Sequence, residues 1–586
     1  MSTVVRNLRV VATVAVQGLE DDPVRLSLLA ARRLPHRWRG PLANVLASAG
    51  RRSHRRAPQA LGLFLADRPD EARALLAQGQ AQTHGQHQGR LVSELAVQLD
   101  GELPDDLPAG ARARAAWQGG DLTAALGVLE LSGTRSARRQ RARLASEVAI
   151  LQPGHRVALS RTPAFASQPQ FAGRLQGSHR VMHLLTNSLP WTQSGYALRS
   201  HSILRAQAAT GMSVEAVTRL GYPVTIGMVS ARETDVVDGV SYRRLLPSRL
   251  AATPEARLAQ TADLLATHVD RFGPDVLHTT THYPNALITR AVAEATGRPW
   301  VYETRGQLEK TWVASRPAHQ RQEAAASERY TLWHARETEL VLAADHVVVL
   351  SDVMRDDLVS RGLPSGRVTV VPNAVDDALL DPLQDCSPRE ARARLGLPEE
   401  GLWVGTVTSV VDYEGLDHLV HAVAELRGAG RDIRCAIVGD GTARPALQEL
   451  VASLGLTGFV ILPGRVPPSQ APDWHRALDI FTVPRRDSDV TRTVTPLKPI
   501  EAMAVSRPVI ASDLPALAEI VEGPGSGLLA ASDDPSSLAD RIRELSDDED
   551  LRRSLGARGR EFAATRTWRA MAGRYETIYD SLEGAT

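Results

Sequence analysis

The stretch Val181-Met-His-Leu-Leu185 opens a part of the chain in which short apolar runs alternate with longer stretches of helical composition. It runs into Thr186-Asn-Ser-Leu-Pro190, whose small polar residues and proline are typical of a turn. Similar apolar runs follow at Val214-Glu-Ala-Val217, Val276-Leu277, Trp300-Val-Tyr302, His346-Val-Val-Val-Leu350 and Val368-Thr-Val-Val371. Short strands that alternate with helices predict a parallel sheet covered by helices on both faces.

A second series of the same kind begins at Trp403-Val404. Its further runs are Cys435-Ala-Ile-Val438, Val460-Ile-Leu462, Ile480-Phe-Thr-Val483 and Pro508-Val-Ile-Ala511. We therefore predict an α/β protein with two successive doubly wound domains, at residues 179–375 and 376–565. The cleft between them is the expected ligand site, because ligands of such sheets bind outside the carboxyl ends of the strands.

The composition is that of a soluble globular protein. Of the 586 residues, 43% are hydrophobic and 23% are charged, which is ordinary for such proteins. No apolar run approaches the roughly 20 residues that a membrane-spanning helix needs. The two cysteines allow neither a disulfide framework nor a cysteine-based zinc site. We expect a cytoplasmic protein.

The N-terminal part differs from the rest of the chain in its predicted secondary structure and its charge. Residues 1–150 are expected to form only helices, with Ala-rich amphipathic turns that resemble helical repeats, and residues 151–178 are expected to be a linker. Residues 1–180 carry 25 arginines against 14 acidic residues. Such a basic region could contact a protein partner or the anionic inner face of a membrane, or simply be a solvated surface. The absence of interleaved aromatic residues argues against nucleic acid as a partner.

Lysine is nearly absent, which draws attention to Lys498. The chain has 66 arginines but only Lys310 and Lys498. Lys498 lies in Thr495-Pro-Leu-Lys-Pro-Ile-Glu-Ala-Met-Ala504, three residues before Glu501. An ammonium group on a flexible stem suits a phosphate in a narrow pocket. This segment is thus a candidate sugar-phosphate site at a helix start, with a surface lysine as the alternative.

Six further segments follow one another in a fixed order. They are Ala344-Asp-His-Val-Val-Val-Leu-Ser351, Val368-Thr-Val-Val-Pro-Asn373, Val438-Gly-Asp-Gly441, Pro463-Gly-Arg465, Pro496-Leu-Lys-Pro-Ile-Glu-Ala-Met-Ala504 and Arg507-Pro-Val-Ile-Ala-Ser512. In this order they resemble the retaining glycosyltransferases of family 4. The resemblance covers residues 180–583. It implies the GT-B fold, in which two Rossmann-like domains face each other across a cleft. The first would bind the acceptor and the second the nucleotide sugar. Residues 566–586 resemble the family's final helix, which crosses back to the first domain.

The resemblance also implies roles for residues of the second domain. Glu501 would hydrogen-bond the nucleotide ribose, and Lys498 would face the diphosphate and balance charge on the leaving group. Glycines after strands let backbone N–H groups approach a phosphate or sugar. The remaining donor-binding candidates are Gly405, Thr406, Gly439, Gly441, Arg465, Arg485, Arg486, Thr495 and Leu497. For Arg485 and Arg486 the alternative is an exposed loop.

In the first domain, the resemblance assigns Gly195 to a loop near the donor phosphates or the acceptor. His282, in preference to His278, would contact the donor sugar as a catalytic residue. Two histidines on one loop without a third ligand do not predict a metal site. Glu303 and Arg305 end a buried strand, where charge is costly unless it is paired or faces a ligand. They are candidate cleft residues, with a structural Glu–Arg pair as the alternative.

Two departures from the family pattern bear on activity. Thr493 stands where the family has a glutamate eight residues before Glu501, and Glu414 stands where a phosphate-binding lysine is expected. The resemblance implies a metal-independent, cofactor-free retaining glycosyltransferase. It would act on a nucleotide-sugar donor and on a glycan or lipid-linked acceptor in cell-surface polysaccharide or glycoconjugate synthesis. A catalytically inactive GT-B scaffold and a nucleotide-sugar epimerase are the alternatives.

Overall fold

A computed structural model describes residues 3–22, 36–53, 55–66, 68–80, 95, 97, 99, 107–160 and 179–583. In the described residues before β1, the regular elements of its N-terminal region are all helices, as predicted. The helices are α1 (Thr3–Asp21), α2 (His36–Arg52), α3 (Arg56–Leu65), α4 (Pro69–Gln80), α5 (Ala109–Gly119), α6 (Leu122–Glu130) and α7 (Arg135–Leu151). Most of the predicted linker, residues 161–178, lies outside the described residues. No helix in the described ranges is long and apolar enough to cross a membrane.

The first α/β domain contains an eight-stranded sheet. Its strands are β1 (Arg180–Leu185), β2 (Ser213–Thr218), β3 (Thr234–Val237), β4 (Val240–Arg244), β5 (Val276–Thr280), β6 (Trp300–Glu303), β7 (His346–Val349) and β8 (Val368–Val370). The order is β3-β4-β2-β1-β5-β6-β7-β8, and only the edge strand β3 pairs antiparallel. Its helices are α8 (Gly195–Ala209), α9 (Pro254–Phe272), α10 (Tyr283–Thr296), α11 (Leu308–Ala314), α12 (Arg321–Ala325), α13 (Glu328–Ala343) and α14 (Asp352–Ser360).

The second α/β domain contains a six-stranded parallel sheet. Its strands are β9 (Leu402–Val407), β10 (Ile433–Val438), β11 (Val460–Gly464), β12 (Ile480–Val483), β13 (Val509–Ser512) and β14 (Gly527–Ala530), in the order β11-β10-β9-β12-β13-β14. The first of its helices are α15 (Pro388–Arg394), α16 (Leu416–Gly428), α17 (Arg444–Ser453), α18 (Ala471–Ala477), α19 (Asp489–Thr493) and α20 (Lys498–Ala504). They are followed by α21 (Pro515–Val521), α22 (Pro535–Asp547) and α23 (Glu549–Ala564).

The two sheets each reverse their strand order at the first strand. β1 lies between β2 and β5, and β9 lies between β10 and β12. The crevice beyond the carboxyl end of such a strand is where α/β sheets bind ligands. The two crevices therefore place the loops after β1, β5 and β6 opposite the loops after β9, β10 and β12.

The last helix, α24 (Trp568–Glu583), returns the chain to the first domain. Just before it, Thr567 forms a β-bridge with Val375, where the chain first leaves that domain. Trp568, Tyr575 and Tyr579 then pack against Val181 and the other central strands of the first sheet. Burial of these three aromatic side chains ties the second domain to the first at both crossings.

The N-terminal helices dock on the first domain. In α1, Asn7 Nδ2 donates hydrogen bonds to the carbonyl oxygens of Val229 and Ala231, at 2.8 and 3.0 Å. Val10 is buried in the first domain's core. These contacts fix α1 to the surface and core of the first α/β domain.

Candidate active site

Lys498 and Glu501 both lie in the first turn of α20. This short helix follows Pro496 and carries Pro499 in its first turn, where a missing N–H costs nothing. Lys498 Nζ donates to Glu501 Oε2 at 2.9 Å. Both side chains are half-buried, with exposed fractions of 30% and 21%. The two residues that the sequence singled out are thus in direct contact at an accessible helix start.

His475 also approaches the Glu501 carboxylate. Its Nε2 lies 3.3 Å from Glu501 Oε2, the oxygen that Lys498 contacts. The imidazole is buried and stacks on Phe481, with ring centroids 5.4 Å apart. Sequence reasoning missed His475, because it lies in α18 and no motif links it to α20.

These neighbours fix the charge of Glu501. Burial alone would raise the pKa of this carboxyl, but Lys498 and His475 outweigh burial and lower the pKa to about 2. Burial also lowers the pKa of His475, against the opposing effect of Glu501. Near neutral pH, an anionic carboxylate therefore lies between an ammonium group and a neutral imidazole. This carboxylate can accept hydrogen bonds from ligand hydroxyls, and the ammonium can bind a phosphate.

Glu414 and Arg485 are brought together as a buried pair. Arg485 Nη2 lies 2.8 Å from Glu414 Oε1, and Nε lies 3.2 Å from Oε2. Arg485 Nη1 donates to the carbonyl oxygen of Val494 at 2.9 Å. Arg486 is also paired, with Asp417 at 2.7 Å. The two arginines predicted to bind the donor thus already have carboxylate partners.

The strand-end glycines serve close backbone packing within the second domain. A Cβ at Gly439, where φ is +141°, would lie 1.8 Å from the carbonyl oxygen of Thr408. A Cβ at Gly441 would lie 2.1 Å from the oxygen of Val410, and one at Gly405 2.1 Å from that of Ala436. Glycine is required there because neighbouring backbone occupies the space, a reason that differs from the predicted approach of a phosphate.

The remaining second-domain candidates lie in different environments. Thr406 lies buried in β9, and Arg465 is exposed after β11. Leu497 packs against the aromatic cluster that holds α24. The carbonyl oxygen of Thr495 accepts a hydrogen bond from Asn373 Nδ2 at 3.1 Å. The buried hydroxyl of Thr495 has no hydrogen-bond partner among the described residues.

In the first domain, His282 and Arg305 line a small cavity above the carboxyl ends of β1 and β5. Tyr196 and Asn187 lie in the same wall. Burial, and secondarily Arg219, lowers the pKa of His282, which favours a neutral imidazole that can donate or accept a proton. Gly195 begins α8 next to this cavity, and a Cβ there would meet no atom within 4 Å.

Glu303 and His278 lie beneath that cavity in a closed polar network. Glu303 is fully buried and contacts Arg199 at 2.9 Å, Arg305 at 2.9 Å and His278 at 3.2 Å. Tyr575 of α24 also donates to it at 3.0 Å. Burial would raise the pKa of Glu303, but the two arginines and His278 hold it well below its usual range. Glu303 therefore neutralises and positions Arg305. This is the structural Glu–Arg pair that the sequence left open as an alternative. Arg305 itself also lines the cavity.

Thr493 joins the two domains. Its Oγ1 lies 3.2 Å from Gln307 Oε1, just after β6. Gln307 Nε2 in turn donates to Asp357 Oδ2 at 2.5 Å. Sequence reasoning also missed Gln307, because the contact spans 186 positions of the chain. Thr493 stands where the family pattern has a glutamate, and its hydroxyl contacts the first domain.

No group of three or more His, Cys, Asp or Glu side chains with the geometry to hold a metal ion occurs in the described ranges. Asp487, which begins an Asp-Ser-Asp sequence, is bound through both carboxylate oxygens by Arg492, at 2.6 Å each.

Two family models match the chain. The "Glycosyl transferase 4-like domain" matches residues 194–374, and "Glycosyl transferases group 1" matches residues 388–562. The chain therefore contains both glycosyltransferase domains of a GT-B protein. This confirms the predicted fold and the broad family resemblance.

Curated relatives come from several biosynthetic routes. The D-inositol 3-phosphate glycosyltransferase of Corynebacterium jeikeium is 30% identical over 257 residues, which is 42% of this chain and 60% of the relative. The lipopolysaccharide core biosynthesis mannosyltransferase LpsB of Rhizobium meliloti is 31% identical over 222 residues, 36% of this chain and 61% of that protein. The chain thus spans about three-fifths of the length of these relatives.

Solved structures show the same fold. Sucrose-phosphate synthase from Thermosynechococcus elongatus superposes with a TM-score of 0.57 at 21% identity, over 70% of this chain and 100% of that one. Anabaena HepE in complex with UDP-glucose gives a TM-score of 0.52 at 16% identity, over 69% of this chain and 100% of that one.

Proposed function

We propose that this GT-B protein is a retaining glycosyltransferase that moves a sugar from a nucleotide-sugar donor to a glycan or lipid-linked acceptor. The observation that carries the proposal is the contact between Lys498 and Glu501 at the start of α20. An ammonium group for the diphosphate and a carboxylate for ribose hydroxyls lie side by side, and both side chains are partly exposed. LpsB, a relative, is a lipopolysaccharide core mannosyltransferase, which favours a cell-surface glycoconjugate as the acceptor.

The proposed reaction is a same-face displacement. The bond between the sugar C1 and the diphosphate oxygen breaks, and a bond from C1 to an acceptor hydroxyl oxygen forms on the same face. The acceptor proton passes to the departing diphosphate. Lys498 stabilises the negative charge that grows on that diphosphate, and a preorganised cation is most effective in such a partly dry site.

His282 would act on the sugar side of the cleft. It lies with Arg305 in the first domain's cavity, and its neutral imidazole can accept a hydrogen bond from, or donate one to, a sugar hydroxyl. Closure of the two domains would exclude water and limit hydrolysis of the donor. No metal ion is assigned a role in this proposal, because Lys498 supplies the positive charge at the diphosphate. The basic N-terminal helices would keep the enzyme near a lipid-linked acceptor at the inner membrane face.

A thermal-shift screen tests the proposal. Wild-type protein is heated with UDP, GDP, ADP and their common sugars, and a nucleotide at 100 times its dissociation constant should add roughly 2.7 kcal/mol of stability. Lys498→Ala should lose this response. Lys310→Ala is the matched control, because the only other lysine of the sequence pairs with Asp357 in the first domain, at 3.1 Å. A wild type that responds to no nucleotide would refute the proposal.

A second candidate function is nucleotide-sugar binding without turnover. It is favoured by the pairing of Glu414 with Arg485 and by the contact of Thr493 with Gln307, since neither site is free to act as in the family pattern. A radiolabelled donor incubated with extracted lipid-linked glycans separates the two. Transfer that Lys498→Ala abolishes supports the enzyme, whereas binding without transfer supports the scaffold.

A further inference from the structure

Two protein groups share one oxygen of Glu501. Lys498 Nζ and His475 Nε2 both approach Oε2, at 2.9 and 3.3 Å. No other side chain of the described residues forms a hydrogen bond or ion pair with this carboxylate. The carboxylate is thus held by one oxygen, and the other is left to accept hydrogen bonds.

His475 is a rigid support for this arrangement. Its ring stacks on Phe481 of β12, and its neighbours Trp474 and Ala477 are buried in the core of the second domain. The side chain is only 2% exposed, so a ligand would contact Glu501 and leave His475 untouched. The residue can therefore act only through Glu501.

The contact is not a formed hydrogen bond in this conformation. Nε2 lies within hydrogen-bond distance of Oε2 but is not aligned for a hydrogen bond, and Nδ1 has no partner among the described residues. Polar contacts in unliganded sites often tighten when a ligand binds. A neutral imidazole with its proton on Nε2 would then donate to the carboxylate and prevent it from rotating.

We propose that His475 is a positioning residue that turns Glu501 Oε1 toward the ribose hydroxyls of the nucleotide, and so sets the preference for ribose over deoxyribose. This inference rests on the proposed function, because it assumes that a nucleotide binds beside Lys498. It adds a residue outside every motif of the chain. A hydrogen bond to a charged acceptor changes a binding constant by roughly ten- to hundredfold, so the loss of orientation of one oxygen should be measurable.

The test compares nucleotides that differ by one hydroxyl. Calorimetric titration uses the nucleoside diphosphate found by the thermal-shift screen, together with its 2′-deoxy and 3′-deoxy forms. Wild type should bind the ribonucleotide roughly tenfold more tightly than at least one deoxy form. His475→Phe keeps the aromatic stacking but has no N–H. It should reduce this ratio to below about threefold and leave the affinity for the deoxy form within about twofold.

Two further variants separate positioning from folding. His475→Gln retains a side-chain N–H and should keep most of the wild-type ratio. His346→Phe removes a buried histidine of β7 in the first domain and should not change it. If His475→Phe does not fold, His475→Asn against His475→Gln gives the same comparison, because the shorter amide cannot reach Oε2.

The outcomes distinguish this inference from the proposed function. An unchanged ratio in His475→Phe, or an equal loss of affinity for ribose and deoxyribose forms, would overturn the positioning role while sugar transfer still stood. A wild type that binds nucleotide without preference for ribose would do the same. A wild type that binds no nucleotide would end both proposals.

Discussion

Arg485 binds both carboxylate oxygens of Glu414 in a buried, two-point ion pair, with distances of 2.8 and 3.2 Å. Glu414 stands where a phosphate-binding lysine is expected from the family pattern. A lysine there would face Arg485 without a counter-charge. Burial would lower the pKa of Arg485, but Glu414 reverses this and raises it. The glutamate at this position is thus accompanied by a buried arginine that it neutralises.

Removing one partner of this pair should destabilise the second domain. Glu414→Ala leaves the Arg485 guanidinium buried without a carboxylate, and such a loss costs about 3–5 kcal/mol. The double variant Glu414→Leu/Arg485→Met removes both charges and should cost clearly less. Urea unfolding of the two variants and wild type measures the difference. Equal losses in the single and the double variant would show that the charge balance is unimportant.

Two glycines of the predicted donor site should respond in opposite ways to alanine. Gly439→Ala places a Cβ 1.8 Å from the carbonyl oxygen of Thr408 at a φ of +141°, so we expect a loss of more than about 2 kcal/mol. Gly195→Ala meets open space at the first position of α8 and should change stability by less than about 0.5 kcal/mol. Thermal unfolding of both variants checks the contrast. A mild Gly439→Ala would mean that the loops after β9 and β10 can separate.

The apolar runs predicted most strands because both faces of a parallel strand are buried, which leaves a continuous hydrophobic signal. The hairpin of β3 and β4 escaped notice because it lies at the sheet edge with polar residues such as Asp235. Strand β14 was also not predicted, because it begins with Gly527 and has only four residues. Lys498 and Glu501 could be predicted together because one helical turn joins them. His475 and Gln307 could not, since only tertiary folding brings them to their partners.

Arg329 should hold the N-terminal helices to the first domain. Its guanidinium lies 5.0, 5.3 and 5.2 Å from the ring centroids of Trp117, Trp312 and Trp333, and its backbone N–H donates to the carbonyl oxygen of Gly120. Desolvated cation–π contacts contribute about 2 kcal/mol. Arg329→Ala should therefore speed amide hydrogen exchange in α5 and α6, with little change in the second sheet. Arg321→Ala, on the neighbouring α12, is the control. Unchanged exchange in α5 would show that other contacts fix these helices.

His346 should make the first domain less stable in mild acid. Burial, and secondarily Arg367, lowers the pKa of this imidazole from 6.5 to about 4, and its Nε2 lies 2.9 Å from Thr369 Oγ1. Between about pH 6.5 and pH 4, His346 therefore binds a proton in the unfolded chain but stays neutral in the folded protein. Above about pH 6.5 the imidazole is neutral in both states and does not affect the unfolding free energy. As the pH falls from 6.5 to 4, protonation of the unfolded chain lowers the unfolding free energy. His346→Gln keeps a polar partner for Thr369 but does not titrate. The unfolding free energy of wild type relative to this variant should fall by about 2–3 kcal/mol between pH 7 and pH 4. Urea titrations across that range measure it, and parallel pH curves would show that the imidazole is protonated equally well in the folded protein.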